Sequence, residues 1–457
     1  MSRVTRRRSP LQRNAVQRPR VCPYPWAVSF RLTMMLELLA WVAFAPAVAS
    51  QRVFPASADT ASFTPRAWSR PMAVTGVPAG RGLQNPSLAS KGDTLFIAGN
   101  ILPTDAQTPP DPRPIVVLRF PGTAIGIPPG TFHFVYPRGV VAGDGSYHLF
   151  WGEPDATKPT RDYFPASFSS VWHSRFDGRE WSPPEQVVRG VTAYWQYQTN
   201  PVAVDGAGRV HVVVPLLEAT GPVLVYLRSR RGGWDRQDFK GVSLYASLLA
   251  WRGDSLAIAY TGVEPGEPQG LARLLTMTSG DGGAHWAPPG PHGLPPVRDP
   301  QAPTLTRSAD GTLHLIWIQV QAGEFSPSGL AMWESADGGE SWRSGGWLAY
   351  PAVAARFVAM SGACSGAEAM VSGFDGAQTY VDHVQWHAGR ARSRRLFPEA
   401  VDALWVGVGL SGDSIRMVWS SIRRRSEPVA AWSAASKACS AVGVPDANGS
   451  RRAAKER

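Results

Sequence analysis

The chain has 457 residues, with 46 Gly, 41 Pro and 18 Trp, and is long enough to bury one large core or two ordinary ones. Its formal charge of +11 sits at the two ends: eight Arg against one Glu in residues 1–50, and five basic against two acidic side chains in 436–457. The body between carries about +1, which points away from nucleic acid as a partner.

Residues 1–49 read as a signal peptide. "RLTMMLELLAWVAFAPAVAS" joins an apolar core of signal length to an Ala47-x-Ala49 cleavage site. Glu37 and Pro46 interrupt the core, so no stable membrane span is expected after leader cleavage. The basic stretch ahead of it is long for a leader, and a translation start near Val28 gives a compact one. The mature chain is then expected to begin at about Ser50 and to be exported, as a secreted or periplasmic protein.

Cys22 falls within that leader, leaving Cys364 and Cys439 either as one disulfide or as two free thiols. No Cys/His spacing reads as a metal site, and no cofactor is expected.

The body repeats. "KGDTLFIAG", "GDGSYHLFW", "GAGRVHVVV", "RGDSLAIAY", "ADGTLHLIW", "CSGAEAMVS" and "SGDSIRMVW" each place a turn before an alternating apolar run. The runs start at Leu95, Tyr147, Val210, Leu256, Leu313, Ala367 and Ile415, at steps of 46 to 63 residues. That period suits a four-stranded propeller blade, and no stretch has the pattern of a long amphipathic helix. The expected fold is an all-β propeller over 50–439, with seven blades favoured and six the alternative, followed by a polar tail at 440–457 whose composition is that of a disordered segment. One unit reads in full: "APTLTR" inner, "TLHLIWIQ" second, "GLAMWES" third and "GWLAYP" outermost. The last unit lacks a fourth strand, and the segment around "TPRAW" is expected to supply it and close the ring.

Two turns share one pattern, S-x-D-x-G-x-x-W: "SGDGGAHW" at 279–286 and "SADGGESW" at 335–342. Asp-Gly-Gly after a strand is turn chemistry, with Gly supplying positive φ and Asp accepting from nearby N–H groups. "HSRFDGREW" and "RSRRGGWD" are degraded copies. The pattern resembles the Asp-box, or neuraminidase repeat, of sialidase-like β-propellers. The resemblance implies a scaffold role for Ser279, Asp281, Gly283, Trp286, Ser335, Asp337, Gly339 and Trp342, on outer turns away from the ligand face.

It also implies where ligand chemistry would sit. Sialidases hold a substrate carboxylate with three arginines, use a Tyr nucleophile paired with Glu, and carry an Asp acid/base. The first arginine normally opens an Arg-Ile-Pro motif, where this chain has Gln84-Asn85-Pro86. Arg138, Arg298 and Arg356 precede or open other inner strands and are expected, with Gln84, Asn85, Tyr194 and Trp195, to face the channel mouth. Catalytic candidates by position are Tyr245, Tyr350, Asp155, Asp162 and Glu264. The expected function is recognition of a glycan or other acidic ligand at that mouth. The alternatives are an exo-sialidase-type hydrolase with a rearranged arginine set and a protein-interaction platform.

Overall fold

The computed structural model describes residues 67–437, apart from 79–80, 102–114, 121–122, 130–135, 155–167, 193–194, 196–199, 219–220, 263–272, 298–299, 321–326, 350–356, 362–365, 375–378, 397–402, 412–413 and 422–429. All of these belong to the second of two compact units, Asp59–Arg457. The leader, the three cysteines and the tail lie outside the described residues.

The fold is a seven-bladed, all-β propeller, and the six-bladed alternative falls away. Among the described residues no helix is long and apolar enough to cross a membrane. The innermost strands are Leu83–Lys91, Arg138–Val141, Val202–Val204, Val242–Arg252, Gln301–Arg307, Phe357–Ser361 and Ala403–Ser411, and they open blades 1 to 7 in that order. Each packs against the innermost strand of the next blade, and the seventh packs against the first. That contact closes the ring.

Blade 5 shows how the sequence builds a unit. Its strands Gln301–Arg307, Leu313–Val320, Pro327–Ser335 and Arg343–Ala349 pair in chain order, as the repeat predicts. Leu313, Leu315 and Trp317 pack with Ala257 and Ala259 of blade 4, while Ile316 and Ile318 pack with Ala369 and Val371 of blade 6. A blade is buried on both faces, so its second strand is apolar at successive positions and not only at alternate ones.

Blade 4 has three strands, and the isolated bridge Thr276–Gly290 stands in place of its fourth. Blade 7 closes with the chain's own beginning. Met72–Ala73 pairs with Ala430–Lys437 in the register Met72↔Ser433 and Ala73↔Trp432. Ser69 N donates to Ala435 O at 2.8 Å, Val74 N to Ala431 O at 2.9 Å, and Trp68 packs against Met417 and Trp419. The latch pairs a few residues beyond the "TPRAW" segment that the sequence suggests.

The repeated turns fasten one blade to the one before it. Ser335 Oγ donates to Asp337 Oδ1 at 2.7 Å and accepts from Gly339 N at 2.7 Å, while Ser341 N donates to Asp337 Oδ1 at 3.0 Å. In the other copy Ala284 N and His285 N both donate to Asp281 Oδ1 at 3.0 Å, and Gly283 N donates to Ser279 Oγ at 2.9 Å. The shorter copy behaves alike, with Arg179 N and Glu180 N donating to Asp177 Oδ1. The closing tryptophans then reach back. Trp181 packs on blade 1, Trp234 on blade 2, Trp286 on blade 3 and Trp342 on blade 4.

Gly283 shows why the pattern needs glycine. Its φ is +79°, and a Cβ there would fall 1.7 Å from the Tyr226 hydroxyl oxygen of blade 3. Both the backbone and the neighbouring blade exclude a side chain.

Candidate functional site

In every blade the strands run so that the inner strand begins at one end of the channel and the repeated turns lie at the other. The two sets of sequence candidates are thereby separated. Asp281 and Asp337 serve their turns, and the polar inner-strand heads gather at the opposite mouth.

Four of the seven inner strands enter through a shared irregularity. Their pairing with the second strand slips between Gln84 and Ser87, between Val242 and Ala246, between Gln301 and Thr304, and between Leu404 and Gly407. Such bulges re-aim a side chain and admit proline, which cannot donate to a ladder. Left-handed residues sit directly before proline at three strand heads: Asn85 before Pro86 (φ 51°), Tyr136 before Pro137 (φ 56°) and Ala302 before Pro303 (φ 48°). Non-glycine residues held there cost on the order of 1–3 kcal/mol each, which their surroundings must offset.

At blades 1 and 2 these heads form one cluster. Gln84 is the register partner of Asn100. Tyr136 N donates to Asn100 Oδ1 at 3.1 Å, Trp195 Nε1 donates to Tyr136 O at 3.0 Å, and Gly139 N donates to Ser87 Oγ at 3.0 Å. Gln84, Asn85, Asn100 and Arg138 are all buried. Among the described residues, Asn85 Oδ1 and Nδ2 and Asn100 Nδ2 are buried with no hydrogen-bond partner. Leaving such groups unpaired costs about 1–3 kcal/mol each. Arg138 Nη1 donates to Pro137 O at 3.1 Å. Burial pulls its guanidinium down to about 10, with the nearby Tyr136 phenol acting in the opposite direction. It stays cationic at neutral pH.

The cluster can do two things chemically. Its carboxamides can donate to and accept from hydroxyl groups, and its guanidinium can attract a carboxylate or sulfate. Among the described residues no group of His, Cys, Asp and Glu is arranged to hold a metal ion.

Gln84, Asn85 and Arg138 thus stand at the heads of two neighbouring inner strands. Trp195 joins them from below, fully buried in the core between blades 2 and 3, so no face of its ring is open for a sugar to stack on. It positions Tyr136. Tyr245 stands on the inner strand of blade 4, half-buried, its N–H donating to Thr261 Oγ1 at 3.3 Å. Tyr194, Arg298, Arg356, Tyr350, Asp155, Asp162 and Glu264 lie outside the described residues. Sequence reasoning missed Asn100 and Tyr136. The signals were there: Asn100 is a polar residue in the apolar run "LFIAGNI", and Tyr136-Pro137 repeats the x-Pro head of Asn85-Pro86.

A seven-bladed propeller with a buried amide and guanidinium cluster at its mouth is the class that fold and site define. No protein-family model and no curated protein matches the chain. Among solved structures it is similar to an ulvan lyase, described as a new polysaccharide lyase family, with a TM-score of 0.52 and 14% identity over 78% of this chain and 94% of that one. The same lyase bound to -[GlcA(1-4)Rha3S]- aligns at a TM-score of 0.52 and 13% identity, with the same coverage of 78% and 94%. A protein of unknown function from Dyadobacter fermentans aligns over 81% of this chain and 98% of its own length, at a TM-score of 0.47 and 10% identity. Sialidase and arabinofuranosidase propellers also occur among the structural neighbours.

Proposed function

We propose that this protein is an exported propeller of the sialidase-like, Asp-box type, and that it recognises an acidic glycan at the mouth of blades 1 and 2. One observation carries the reading. Asn85 and Asn100 bury unpartnered amide groups, and the buried, cationic Arg138 opens the neighbouring inner strand, a set that suits sugar hydroxyls next to an anionic substituent. The two lyase structures of similar fold are compatible with it. Binding is favoured over sialic-acid hydrolysis because Gln84-Asn85-Pro86 replaces the Arg-Ile-Pro that such hydrolysis uses. Export rests on the leader-like residues 1–49.

The test is a glycan array followed by calorimetric titration with uronate-bearing, sulfated and neutral oligosaccharides. Selective binding of acidic sugars, lost in Asn85→Ala and Arg138→Met, supports the reading. Absence of any hit, or a preference for neutral sugars, overturns it.

A further inference from the structure

Blade 2 contains a chain of polar side chains that the mouth does not use. Asp144 and Ser146 stand in the turn before its second strand, His148 on Tyr147–Pro154, His173 on Phe168–Phe176 and Glu185 at the head of Glu185–Thr192. Ser146 Oγ lies 2.6 Å from Asp144 Oδ1 and 3.1 Å from His148 Nε2. His148 Nδ1 lies 2.9 Å from His173 Nε2, and His173 Nδ1 lies 2.8 Å from Glu185 Oε1. Both imidazoles are buried, while the end carboxylates are 58% and 51% exposed.

Four links need four protons. Ionised carboxylates only accept, so the chain has an acceptor at each end. Ser146 and two neutral imidazoles supply three protons between them. One link is then left with two lone pairs facing each other at hydrogen-bond distance. We propose that the His148–His173 pair holds the fourth proton at neutral pH, storing one imidazolium inside blade 2 between Asp144 and Glu185.

The polarity follows. Ser146 donates to Asp144, His148 Nε2 donates to Ser146, and His173 donates both to His148 Nδ1 and to Glu185. Desolvation, reinforced by the neighbouring His173 and Arg175, pushes His148 down to about 3, which makes it the neutral member. Both carboxylates are held below their ordinary range, Glu185 chiefly by its hydrogen bond from His173 and Asp144 chiefly by that from Ser146. The charged groups around the pair are Asp144, Glu185 and Arg175, whose Nη2 lies 2.8 Å from Asp144 Oδ2. With one imidazolium these four charges cancel.

The same second-strand position holds His211 in blade 3 and His314 in blade 5. His314 Nε2 meets Ser308 Oγ at 2.9 Å, and His211 meets Asp205 at 3.0 Å and Tyr226 at 2.7 Å. Those shorter chains close with neutral imidazoles. Of these three chains, the one with paired histidines in blade 2 alone requires a further proton.

The stored charge also touches the next blade. Trp234 Nε1 donates to the same Glu185 Oε1 at 2.9 Å, and the Trp234 ring meets His173 edge-on at 5.2 Å. The device therefore makes the blade 2–blade 3 seam sensitive to alkaline pH. The folded pair holds one proton where the two unfolded histidines hold none above about 6.5, so stability falls as pH rises beyond that value. Over that window the unfolding equilibrium shifts roughly tenfold per pH unit.

Histidine-ring nitrogen NMR at pH 7.5 reads the proton count directly. Three hydrogen-bearing nitrogens among the four of His148 and His173 are expected, and two would overturn the proposal. Glu185→Gln gives a second arm, because its amide can donate to His173 and let the whole chain close with neutral rings. That variant should stay folded, show two such nitrogens, and lose the fall in stability between pH 7 and 9. A pH profile unchanged from wild type would also overturn the proposal.

Discussion

Trp342 Nε1 donates to Thr276 Oγ1 over 3.1 Å, and the two residues belong to neighbouring blades. The tryptophan that closes a turn of blade 5 is thus part of the core of blade 4. Trp342→Ala should lower the unfolding free energy by about 3–5 kcal/mol through the cavity it leaves. Trp342→Phe should cost about 1–3 kcal/mol, mainly by orphaning the threonine hydroxyl. Chemical denaturation with glycan titration checks both; ligand affinity should not change in either folded variant.

Glycine substitutions separate backbone strain from crowding. Gly311 has φ +95° with nothing within reach of an added Cβ, whereas Gly283 meets Tyr226. Gly311→Ala should cost on the order of 1 kcal/mol through its left-handed backbone. Gly283→Ala should cost clearly more, because Tyr226 and its bond to His211 must move as well. Equal melting shifts in the two variants would contradict the seam described above.

Asp337 sets an acid limit. Desolvation acts to raise its carboxyl, but hydrogen bonds from Ser341 and Ser335 outweigh it and hold it at about 2. A depressed carboxyl contributes stability above its unfolded value near 3.9, and loses it as pH falls through the folded one. Wild type and Asp337→Asn should therefore differ in melting temperature at pH 5 and converge towards pH 2. A difference that grows on acidification would reverse the assignment.

At the mouth, Arg138→Met should weaken binding of acidic sugars tenfold to a hundredfold, as expected for one charge-assisted contact worth about 1.5–3 kcal/mol. Neutral sugars should be little affected. Asn85→Ala should weaken both, and its backbone should tolerate the change, because Ala302 already takes the same left-handed conformation before proline in blade 5. Calorimetry on the three proteins decides it.

Deleting residues 67–74 removes the strand that covers Ala430–Lys437. An uncovered edge offers its unpaired backbone groups to another chain. The deletion should lower the melting temperature and promote self-association, seen by size-exclusion chromatography with light scattering.

The fold was legible because a closed ring must write each blade separately. Turn residues recur before Tyr147, Val210 and Leu313, and each of these begins a strand. The hydrogen bonds of Asp337 were legible too, since its partners lie within the same eight residues. The proposed site was only half legible. Arg138 and Asn85 announce themselves as a cation and an x-Pro head. Asn100 matters through Tyr136 of another blade, a contact across 36 positions that no local pattern encodes. Trp195 misled in the other direction. An aromatic residue in a loop resembles a sugar platform, but its hydrogen bond to Tyr136 O draws the ring inward.

The latch has a consequence for the order of events in folding. Ser433 meets Met72 across 361 positions of chain. Loop-closure entropy and the direction of synthesis both make so distant a pairing the last to form. Blades 1 to 6 can assemble by neighbouring hairpins while the ring is still an open arc, and the seventh waits for the C-terminal strands. Pulse-labelled hydrogen exchange during refolding should protect the amides of 72–74 and 430–435 after those of blades 3 and 5; earlier protection would place the closure at another seam.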